Sequence, residues 1–456
     1  MTKRNRMKRL VDYYLHSWKN DPYRMPLLLR GARQIGKTFS VRSLGVSFAQ
    51  FVEINLEEMP EVHVIFEKNL DPERMIAELC VVLKKPIIPG VTLLFIDEIQ
   101  IVPRAIIALR YFYEKMPQLH VIAAGSLLDF AIEQVGIPVG RVQSLYMFPL
   151  SFIEFLAALG HTALIKEIIT HDNTQEMSES IHHKALSLMG DYCAIGGMPR
   201  AVQLWQETQN PLYCAKIQST ILDTYRQDFG KYAKNAQIKH VELVFNYIPI
   251  QLGRKFKYSL VDGDYRKREL APALDLLVTA GVAHKTLYSA GQGMPLGAQV
   301  DPQDYKVIFL DIALAQLLLG LDVAGWFANP FAEFVNKGSV IEALVGQEML
   351  AYDDPYLRKN LYYWHRTERS SEAEIDYIVS FKDSIIPIEV KSGVGSTLRS
   401  MHNFLESHVA SLYGIRFSAH NYSEYQKVKS LPLYAISSIM SIKNQDLKNA
   451  IELLIK

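Results

Sequence analysis

Short runs of apolar residues alternate with stretches of helical spacing along the first third of the chain. Continuous apolar runs of strand length are typical of parallel strands that are covered by helices on both faces. The predicted strands lie at 25–30, 51–55, 91–96, 119–124 and 142–148. A predicted helix at 38–48 follows the first of these strands directly, and another at 127–134 follows the fourth. The pattern therefore predicts an α/β domain with a parallel sheet and flanking helices.

The rest of the chain changes character several times. Residues 167–183 are polar without clear periodicity, which predicts a surface helix and loop. Apolar positions at helical spacing predict a helix that begins near Arg266, with an extended segment at 283–288 after it. A helix at 340–352 is then followed by two alternating stretches, 374–379 and 385–391, that we expect to pair as a hairpin.

A glycine-rich segment with the pattern G-x-x-x-x-G-K-[ST] follows the first predicted strand. It consists of Gly31, Ala32, Arg33, Gln34, Ile35, Gly36, Lys37 and Thr38. Such glycines let backbone N–H groups surround phosphate oxygens, and the N-terminus of the next helix adds partial positive charge. We expect Lys37 to reach the β- and γ-phosphates of ATP and Thr38 to ligate Mg²⁺. The alternative is a plain glycine turn between a strand and a helix.

An acidic pair follows the third predicted strand. Asp97 and Glu98 come directly after the apolar run at 91–96. At the carboxyl end of a central strand, Asp97 is placed to hold Mg²⁺ and Glu98 to polarise the attacking water. By itself such a pair is also a common entry to a helix. Together with the loop at 31–38, it predicts the second half of an ATPase site.

Two further polar residues have two interpretations each. Ser126, after the strand at 119–124, either senses the γ-phosphate or caps the helix at 127–134. Arg141, before the last strand, either reaches the γ-phosphate of a neighbouring subunit or is an ordinary solvated arginine. Both alternatives stay open at each position.

These segments together resemble the bacterial and archaeal AAA-type ATPases that carry a C-terminal domain of unknown function. The matching segments are the loop at 31–38, the run at 93–98, Gly125-Ser126, Gly140-Arg141 and the Pro-Leu-Ser-Phe-Ile-Glu segment at 149–154. The resemblance implies that Ser126 is the sensor and Arg141 the arginine finger. Ala124 departs from it, because relatives more often have Thr there.

A Gly-Gly-x-Pro turn lies at 196–199, ahead of a predicted helix at 201–209. Proline at the start of a helix has a structural explanation, because its fixed φ suits the first turn. The segment also resembles the lid motif of the same family, whose proline lies against the adenine. The resemblance implies that Pro199 contacts the nucleotide.

Residues 242–286 have the pattern of a winged helix-turn-helix, with 283–288 as the wing. Six basic residues lie between 254 and 268, against two acidic ones: Arg254, Lys255, Lys257, Arg266, Lys267 and Arg268 against Asp262 and Asp264. A basic helix start can neutralise DNA phosphates or enter a major groove. Such modules also dock proteins, and a short basic run is often only a solvated face.

A second group of charged residues lies near the C-terminus. Glu342 is on the helix at 340–352, Asp376 on the strand after it, and Glu389 and Lys391 on one face of the next strand. In order and spacing this group resembles restriction-endonuclease-like, PD-(D/E)xK, nucleases, with Ile375 in place of the Pro. The resemblance implies carboxylates that bind Mg²⁺ and a lysine that activates water. The alternatives are an inactive binding platform, or a salt bridge between Glu389 and Lys391 on an exposed sheet face.

Composition narrows the classes of partner. Among 456 residues, Lys and Arg total 49 and Asp and Glu 48, so the net charge is +1 and non-specific binding to polyanions is not expected. Three cysteines are too few for a disulfide framework, which predicts a reducing, cytoplasmic setting. The chain lacks an uninterrupted apolar stretch of the roughly 18 residues that a membrane span needs.

The sequence thus predicts an α/β protein of four parts: a P-loop AAA-type ATPase domain at 1–190, a helical lid at 191–238, a winged-helix-like domain at 239–330 and a small α/β PD-(D/E)xK-like domain at 331–456. Two functional hypotheses follow. In the first, ATP binding and hydrolysis drive or gate a DNA-binding or DNA-processing module. In the second, a regulatory ATPase of the signal-transduction type recruits a protein partner and its nuclease-like domain is inactive. Arg141 adds a homo-oligomer as an expected partner.

Overall fold

The structure of the chain is a computed structural model. The structure describes residues 7–136, 138, 140–368, 371–391 and 398–456. These residues divide into two compact units. The N-terminal unit contains Lys8–Phe148 and Asp354–Arg358, and the C-terminal unit is built from Pro149–Asp353 and Lys359–Lys456.

A parallel sheet forms the centre of the N-terminal unit, as the apolar runs predict. Its strands are β1 (Leu27–Arg30), β2 (Gln50–Asn55), β3 (Thr92–Asp97), β4 (His120–Ala124) and β5 (Gln143–Tyr146). Among the described residues they form a five-stranded sheet in the order β2-β3-β4-β1-β5, and each neighbouring pair is parallel. This order brings the carboxyl ends of β1 and β3, which precede the glycine loop and the acidic pair, to the same edge of the sheet.

Helices cover both faces of this sheet, so the central strands are buried on both sides. The helices are α1 (Leu10–Asn20), α2 (Lys37–Gly45), α3 (His63–Glu67), α4 (Pro72–Leu83), α5 (Pro103–Lys115) and α6 (Leu128–Val135). The residues of β3 and β4 are buried throughout, and one face packs with α4 and α5 in a single apolar core. Helix α2 begins and ends slightly earlier than the predicted 38–48.

The C-terminal unit begins as a set of helices. They are α7 (Phe152–Ala158), α8 (Thr162–Thr170), α9 (Glu179–Ile195), α10 (Pro199–Thr208), α11 (Pro211–Tyr232), α12 (Asn235–Tyr247) and α13 (Lys267–Thr279). The polar stretch at 167–183, predicted as a surface helix and loop, contains the end of α8, a loop and the start of α9. Apolar residues at helical spacing from Ala185 onward anchor α9.

The remaining elements of this unit combine helices with a second sheet. The helices are α14 (Ile312–Leu318), α15 (Ala324–Ala328), α16 (Pro330–Asn336), α17 (Gly338–Ala351), α18 (Arg399–Ser407), α19 (Ile436–Lys443) and α20 (Gln445–Ile455). The strands are β6 (Ala283–Ser289), β7 (Val300–Phe309), β8 (Leu361–Glu368), β9 (Ser371–Phe381), β10 (Ser384–Val390), β11 (Gly414–Ser418), β12 (Ser423–Tyr425) and β13 (Val428–Pro432).

This second sheet contains both the predicted wing and the predicted nuclease-like strands. Its order within the described residues is β12-β13-β11-β10-β9-β8-β6-β7, and β9 and β10 pair antiparallel as the predicted hairpin. The predicted wing strand, β6, pairs antiparallel with β7 on one side and parallel with β8 on the other. It is therefore an interior strand rather than a free wing, and the predicted boundary at 330/331 falls between strands of one continuous sheet.

Candidate ATP site and C-terminal carboxylate cluster

The backbone of the glycine loop requires glycine at two positions. Gly31 has φ +131°, and a Cβ there would lie 2.3 Å from the carbonyl oxygen of Met147. Gly36 has φ +97° and is the N-cap of α2. Gln34 also has a positive φ, of 64°. Positive φ angles at Gln34 and Gly36, just before the helix, suit a loop whose backbone N–H groups surround a phosphate.

Lys37 lies folded into its own loop. Its Nζ donates hydrogen bonds of 2.8 Å to the carbonyl oxygens of Gly31 and Ala32, and the side chain is buried. Burial lowers the pKa of Lys37 to about 8, and the charges of Glu98 and Asp97 partly oppose this shift. The ammonium is therefore desolvated and paired with carbonyl dipoles. An anionic phosphate would stabilise its positive charge further.

Thr38 and Asp97 meet at the carboxyl edge of the sheet, as predicted. The Thr38 hydroxyl donates a 2.8 Å hydrogen bond to Oδ2 of Asp97. Burial raises the pKa of Asp97; the hydrogen bond from Thr38 lowers it, and the neighbouring Glu98 carboxylate raises it. A hydroxyl and a partly desolvated carboxylate side by side are oxygen ligands of the kind that Mg²⁺ prefers, so these two residues fit the cation.

Glu98 is held by a residue that the sequence analysis missed. The side-chain amide of Gln100 donates a 2.5 Å hydrogen bond to Oε2 of Glu98, and the Ser126 hydroxyl lies 3.4 Å from the same oxygen. The N-cap of α6 is Leu127, so Ser126 does not cap that helix. A Cβ on Gly125 would lie 2.0 Å from Oε1 of Gln100, so glycine at 125 leaves room for the amide. The position of Gln100, two residues after Glu98, was the available signal.

Arg141 forms an ion pair within its own unit. Its Nε lies 3.0 Å from Oε1 of Glu114, and Arg110 binds the same oxygen at 3.0 Å. The Arg141 side chain is 45% exposed. It is therefore neither buried in the nucleotide loop nor free in solvent, and its role as an arginine finger stays a prediction.

The Gly-Gly turn of the predicted lid is fixed by Asp311 of the same unit. The N–H of Gly197 donates a 2.7 Å hydrogen bond to Oδ2 of Asp311, whose other oxygen caps α14 through Ala313 and Leu314. A Cβ on Gly196, where φ is +73°, would lie 2.3 Å from that carboxylate. The glycines thus have a packing reason, and Pro199 is the first residue of α10.

A buried polar group next to this turn joins α9 to α17. The hydroxyl of Tyr192 donates to Oε1 of Glu348 at 2.8 Å, and Gln347 donates to that hydroxyl at 3.0 Å. The N–H of Phe152, at the start of α7, also donates to Glu348 at 3.0 Å. Burial raises the pKa of Glu348 to about 7, because its side chain is almost entirely removed from water. The sequence did not predict that these residues meet.

The four predicted nuclease-like residues do converge in the C-terminal unit. Nζ of Lys391 lies 2.7 Å from Oε1 of Glu389, and Asp376 accepts a 2.7 Å hydrogen bond from the N–H of Val390. Glu389 is 2% exposed and the Lys391 side chain is 31% exposed, so the pair is a partly buried ion pair rather than a salt bridge on an exposed face. Burial raises the pKa of Glu342, and the charge of Asp376 raises it further. These residues form the C-terminal carboxylate cluster.

Lys306, which the sequence analysis did not single out, lies inside this cluster. Its Nζ is 2.8 Å from Glu342, 2.5 Å from Glu374 and 3.8 Å from Asp376, and the side chain is 2% exposed. Burial alone would lower the pKa of Lys306, but the three carboxylates raise it overall. A lone lysine inside the apolar run of β7 was the signal, since lysine is rarely buried without a partner.

The predicted basic residues between 254 and 268 are all exposed. Helix α12 packs against α13, and the β6–β7 pair follows, so the order helix, helix, hairpin is present. Lys255 is engaged in an ion pair with Asp304 at 2.5 Å. Because their side chains are exposed, the basic residues between 254 and 268 are accessible to a polyanion.

Three family models match successive parts of the chain. Residues 23–156 match the AAA domain, residues 187–324 match a domain of unknown function (DUF8612), and residues 337–436 match another (DUF4143). The first match covers the glycine loop, the acidic pair, Ser126 and Arg141. With the parallel sheet and the geometry above, it defines the N-terminal region as a P-loop ATPase domain of the AAA type.

Comparison with solved structures gives distant similarities. No curated protein matches the chain. A Walker-type ATPase of Pyrococcus abyssi is 13% identical with a TM-score of 0.43, over 69% of this chain and 96% of that one. PCH-2 of C. elegans is 13% identical with a TM-score of 0.26, over 44% and 62%. A Signal Transduction ATPase with Numerous Domains (STAND) protein with a tetratricopeptide repeat sensor, from Pyrococcus horikoshii, is 11% identical with a TM-score of 0.25, over 74% and 47%.

Helices long and apolar enough to cross a bilayer are absent from the part of the chain that the structure describes.

Proposed function

We propose that the chain binds and hydrolyses ATP and that its nucleotide state governs the C-terminal unit. The observation that supports hydrolysis is the meeting of the glycine loop with the acidic pair at one edge of the parallel sheet. Lys37 would bind the β- and γ-phosphates, and Glu98 would accept a proton from the attacking water. Ser126 would sense the γ-phosphate through the same glutamate, and Pro199 is proposed to contact adenine.

Mg²⁺ fits this site through Thr38 and Asp97. When bound, it supplies charge neutralisation on the phosphates. The chain's own residues would do the rest: the loop at 31–38 binds and orients the phosphates, and Gln100 holds Glu98 in place.

A short segment of the C-terminal half of the sequence supports coupling to the nucleotide. Asp354–Arg358 belongs to the N-terminal unit although the residues on both sides of it belong to the other unit. Its Pro355 carbonyl accepts a 2.7 Å hydrogen bond from the N–H of Tyr146. Tyr146 pairs with Arg30, the residue directly before the glycine loop. The segment lies between α17 and β8 in the sequence, so movement of the loop would act on the chain that enters β8.

Hydrolysis is tested with the full-length protein, ATP and Mg²⁺. Lys37→Ala should abolish both ATP binding and turnover. Glu98→Gln should keep ATP binding and lower kcat roughly 10²-fold or more, because only proton abstraction is lost. Turnover that survives in both variants at the level of the unaltered protein would reject the proposal.

The output of the C-terminal unit is proposed as either DNA binding or recruitment of a protein. The exposed basic residues support DNA, whereas Lys306 within the carboxylate cluster supports a nuclease-like domain that does not cleave. Duplex binding should weaken steeply with salt, and replacing Arg266, Lys267 and Arg268 by Ala should reduce the slope by about one for each phosphate that is no longer neutralised. A matched control replaces three other exposed lysines of the unit, Lys427, Lys448 and Lys456.

The two outputs give different results in this assay. Salt-dependent binding that only the first triple variant loses supports a DNA-binding module. If no duplex binds even at low salt, the regulatory, protein-recruiting alternative is favoured.

A further inference from the structure

The C-terminal carboxylate cluster already contains a cation that belongs to the chain. The ammonium of Lys306 is 2.8 Å from Oε1 of Glu342 and 2.5 Å from Oε1 of Glu374, and Asp376 is the third carboxylate around it. The aromatic ring of Tyr363 lies beneath it, with the ammonium 5.2 Å from the ring centroid. Carboxylates on three sides and a π-face on another enclose the charge.

The ammonium occupies the space in which a nuclease-like site would hold a metal. Mg²⁺ needs oxygen ligands at about 2.0–2.1 Å in near-octahedral geometry. An ammonium in contact with Glu342 and close to Asp376 takes the space and the negative charge that such an ion would use. Within the described ranges, no three His, Cys, Asp or Glu side chains form a group that could hold a metal ion. The residues present therefore do not fit the implied cation.

Displacing the lysine is opposed by its setting in the sheet. Lys306 is held by β7, where it pairs with Thr286 of β6, and its side chain has almost no exposed surface. Two residues earlier on the same face of β7, Asp304 binds Lys255 and His365. A metal would have to drive the ammonium out of this packed surface or share the carboxylates with it, and like charges at such a distance repel.

We propose that Lys306 is the resident cation of the carboxylate cluster, so that the cluster binds no divalent metal and does not perform metal-assisted phosphodiester cleavage. The cluster then serves to join β7, α17 and β9 by charge pairing. This inference does not depend on ATP hydrolysis, since it concerns only residues of the C-terminal unit.

The test measures Mn²⁺ binding by the nucleotide-free full chain. The electron paramagnetic resonance signal of free Mn²⁺ reports how much of the ion is bound. The background carries Thr38→Ala and Asp97→Asn, which removes the metal ligands of the ATP site. In this background Asp376→Asn should leave Mn²⁺ binding unchanged. Lys306→Met should create one Mn²⁺ site, with an affinity at least tenfold higher than any Mn²⁺ binding by the lysine-containing background. Adding Asp376→Asn to Lys306→Met should remove that site. Lys306→Arg, which keeps the charge, is the matched control and should create none.

The result that overturns the proposal needs no change at Lys306. If the lysine-containing background binds Mn²⁺ and Asp376→Asn weakens that binding tenfold, the lysine moves aside for a metal. Glu389→Gln is the second probe for that outcome, because Oε2 of Glu389 accepts no hydrogen bond from the described residues and would be a ligand. Asp376→Asn keeps an acceptor for the N–H of Val390, so folding is preserved.

Cleavage gives an independent readout. Supercoiled plasmid incubated with the unaltered protein and Mn²⁺ should stay intact, as it should with Lys391→Ala. Nicking by the unaltered protein that Lys391→Ala abolishes would also overturn the proposal.

Discussion

The backbone N–H of Gly197 donates a 2.7 Å hydrogen bond to the buried carboxylate of Asp311, 114 residues further along the chain. The same carboxylate caps α14, so one side chain fixes both the Gly-Gly turn and a helix start. Burial raises the pKa of Asp311 to about 6, which shows that the three backbone N–H groups only partly offset the loss of water. The turn that resembles a nucleotide lid is thereby bound to the core of the C-terminal unit.

Replacing Asp311 by Ala is expected to destabilise the protein on the order of 3 kcal/mol, because it leaves several buried N–H groups without an acceptor. Asp322→Ala is the matched control: its carboxylate accepts an N–H bond from Ala324 at an exposed turn, and its loss should cost about 1 kcal/mol. Urea unfolding of the two variants measures both values. Equal losses would contradict a special role for the buried carboxylate.

Glu348→Gln is expected to remove part of the pH dependence of stability. The folded-state pKa of Glu348 is about 7 and its ordinary value is 4.5, so the folded protein binds more protons between these values. Stability therefore falls as pH rises from 4.5 through 7 and levels off above it. Between pH 8 and pH 6 the unaltered protein should gain about 1 kcal/mol that the Gln variant lacks.

Thermal or urea unfolding at pH 6 and pH 8 measures how much the free energy of unfolding changes with pH in each protein. The two changes are then compared. Other buried carboxyls with raised pKa values, among them Asp311 at about 6 and Glu342, also titrate near this range, so the variant should keep the part of the pH dependence that they contribute. An identical change in stability for both proteins would show that Glu348 ionises normally.

The parts of this molecule that local sequence determines were predictable. The glycine loop, the acidic pair and the hairpin of β9 and β10 each depend on spacing within a short stretch, and the structure has all three. Contacts between residues far apart in the sequence could not be predicted. Lys306 precedes Glu342 by 36 residues and meets it only because the sheet brings β7 to α17. Strand β6 was predicted, but its neighbour β8 begins more than 70 residues later, so its interior position in the sheet could not be foreseen.

ATP affinity should fall as pH rises above 8. The pKa of Lys37 without nucleotide is about 8, and phosphate favours the charged ammonium, so ATP binding takes up a proton above that pH. The Kd should rise up to tenfold per pH unit until the pKa of the bound form is reached. Titration with a fluorescent ATP analogue and chelated metal, at pH 7.5 and 9.5, measures the slope. The arginine of Lys37→Arg stays charged at both pH values, so the Kd of that variant should not rise with pH through deprotonation of residue 37.

Tyr356→Ala is expected to uncouple the two units without preventing ATP binding. Its hydroxyl donates a 3.2 Å hydrogen bond to the carbonyl of Tyr14, and the two rings pack edge to face, which anchors the segment at 354–358. ATP should change hydrogen exchange in β8 and β9 of the unaltered protein but not of the variant. Tyr23→Ala, at a tyrosine that is 86% exposed in the same unit, is the control and should keep the response. A full response in Tyr356→Ala would place the coupling elsewhere.

Arg141 and Arg110 provide a matched pair for the arginine-finger hypothesis. Both bind Oε1 of Glu114 at 3.0 Å from exposed positions, so losing either one removes a comparable surface ion pair. If Arg141 acts on the ATP of a neighbouring copy, Arg141→Ala should lower kcat roughly 10³-fold, whereas Arg110→Ala should not. Steady-state ATPase rates at several protein concentrations check both variants.

Mixing variants then separates action between copies from action within one. Lys37→Ala cannot bind ATP but still carries Arg141, whereas Arg141→Ala has an intact ATP site. Together they should recover activity that neither has alone, because the arginine of one copy can complete the site of the other. If the mixture stays inactive while the unaltered protein assembles and turns over, Arg141 does not act in trans. Its pairing with Glu114 is then only a surface ion pair.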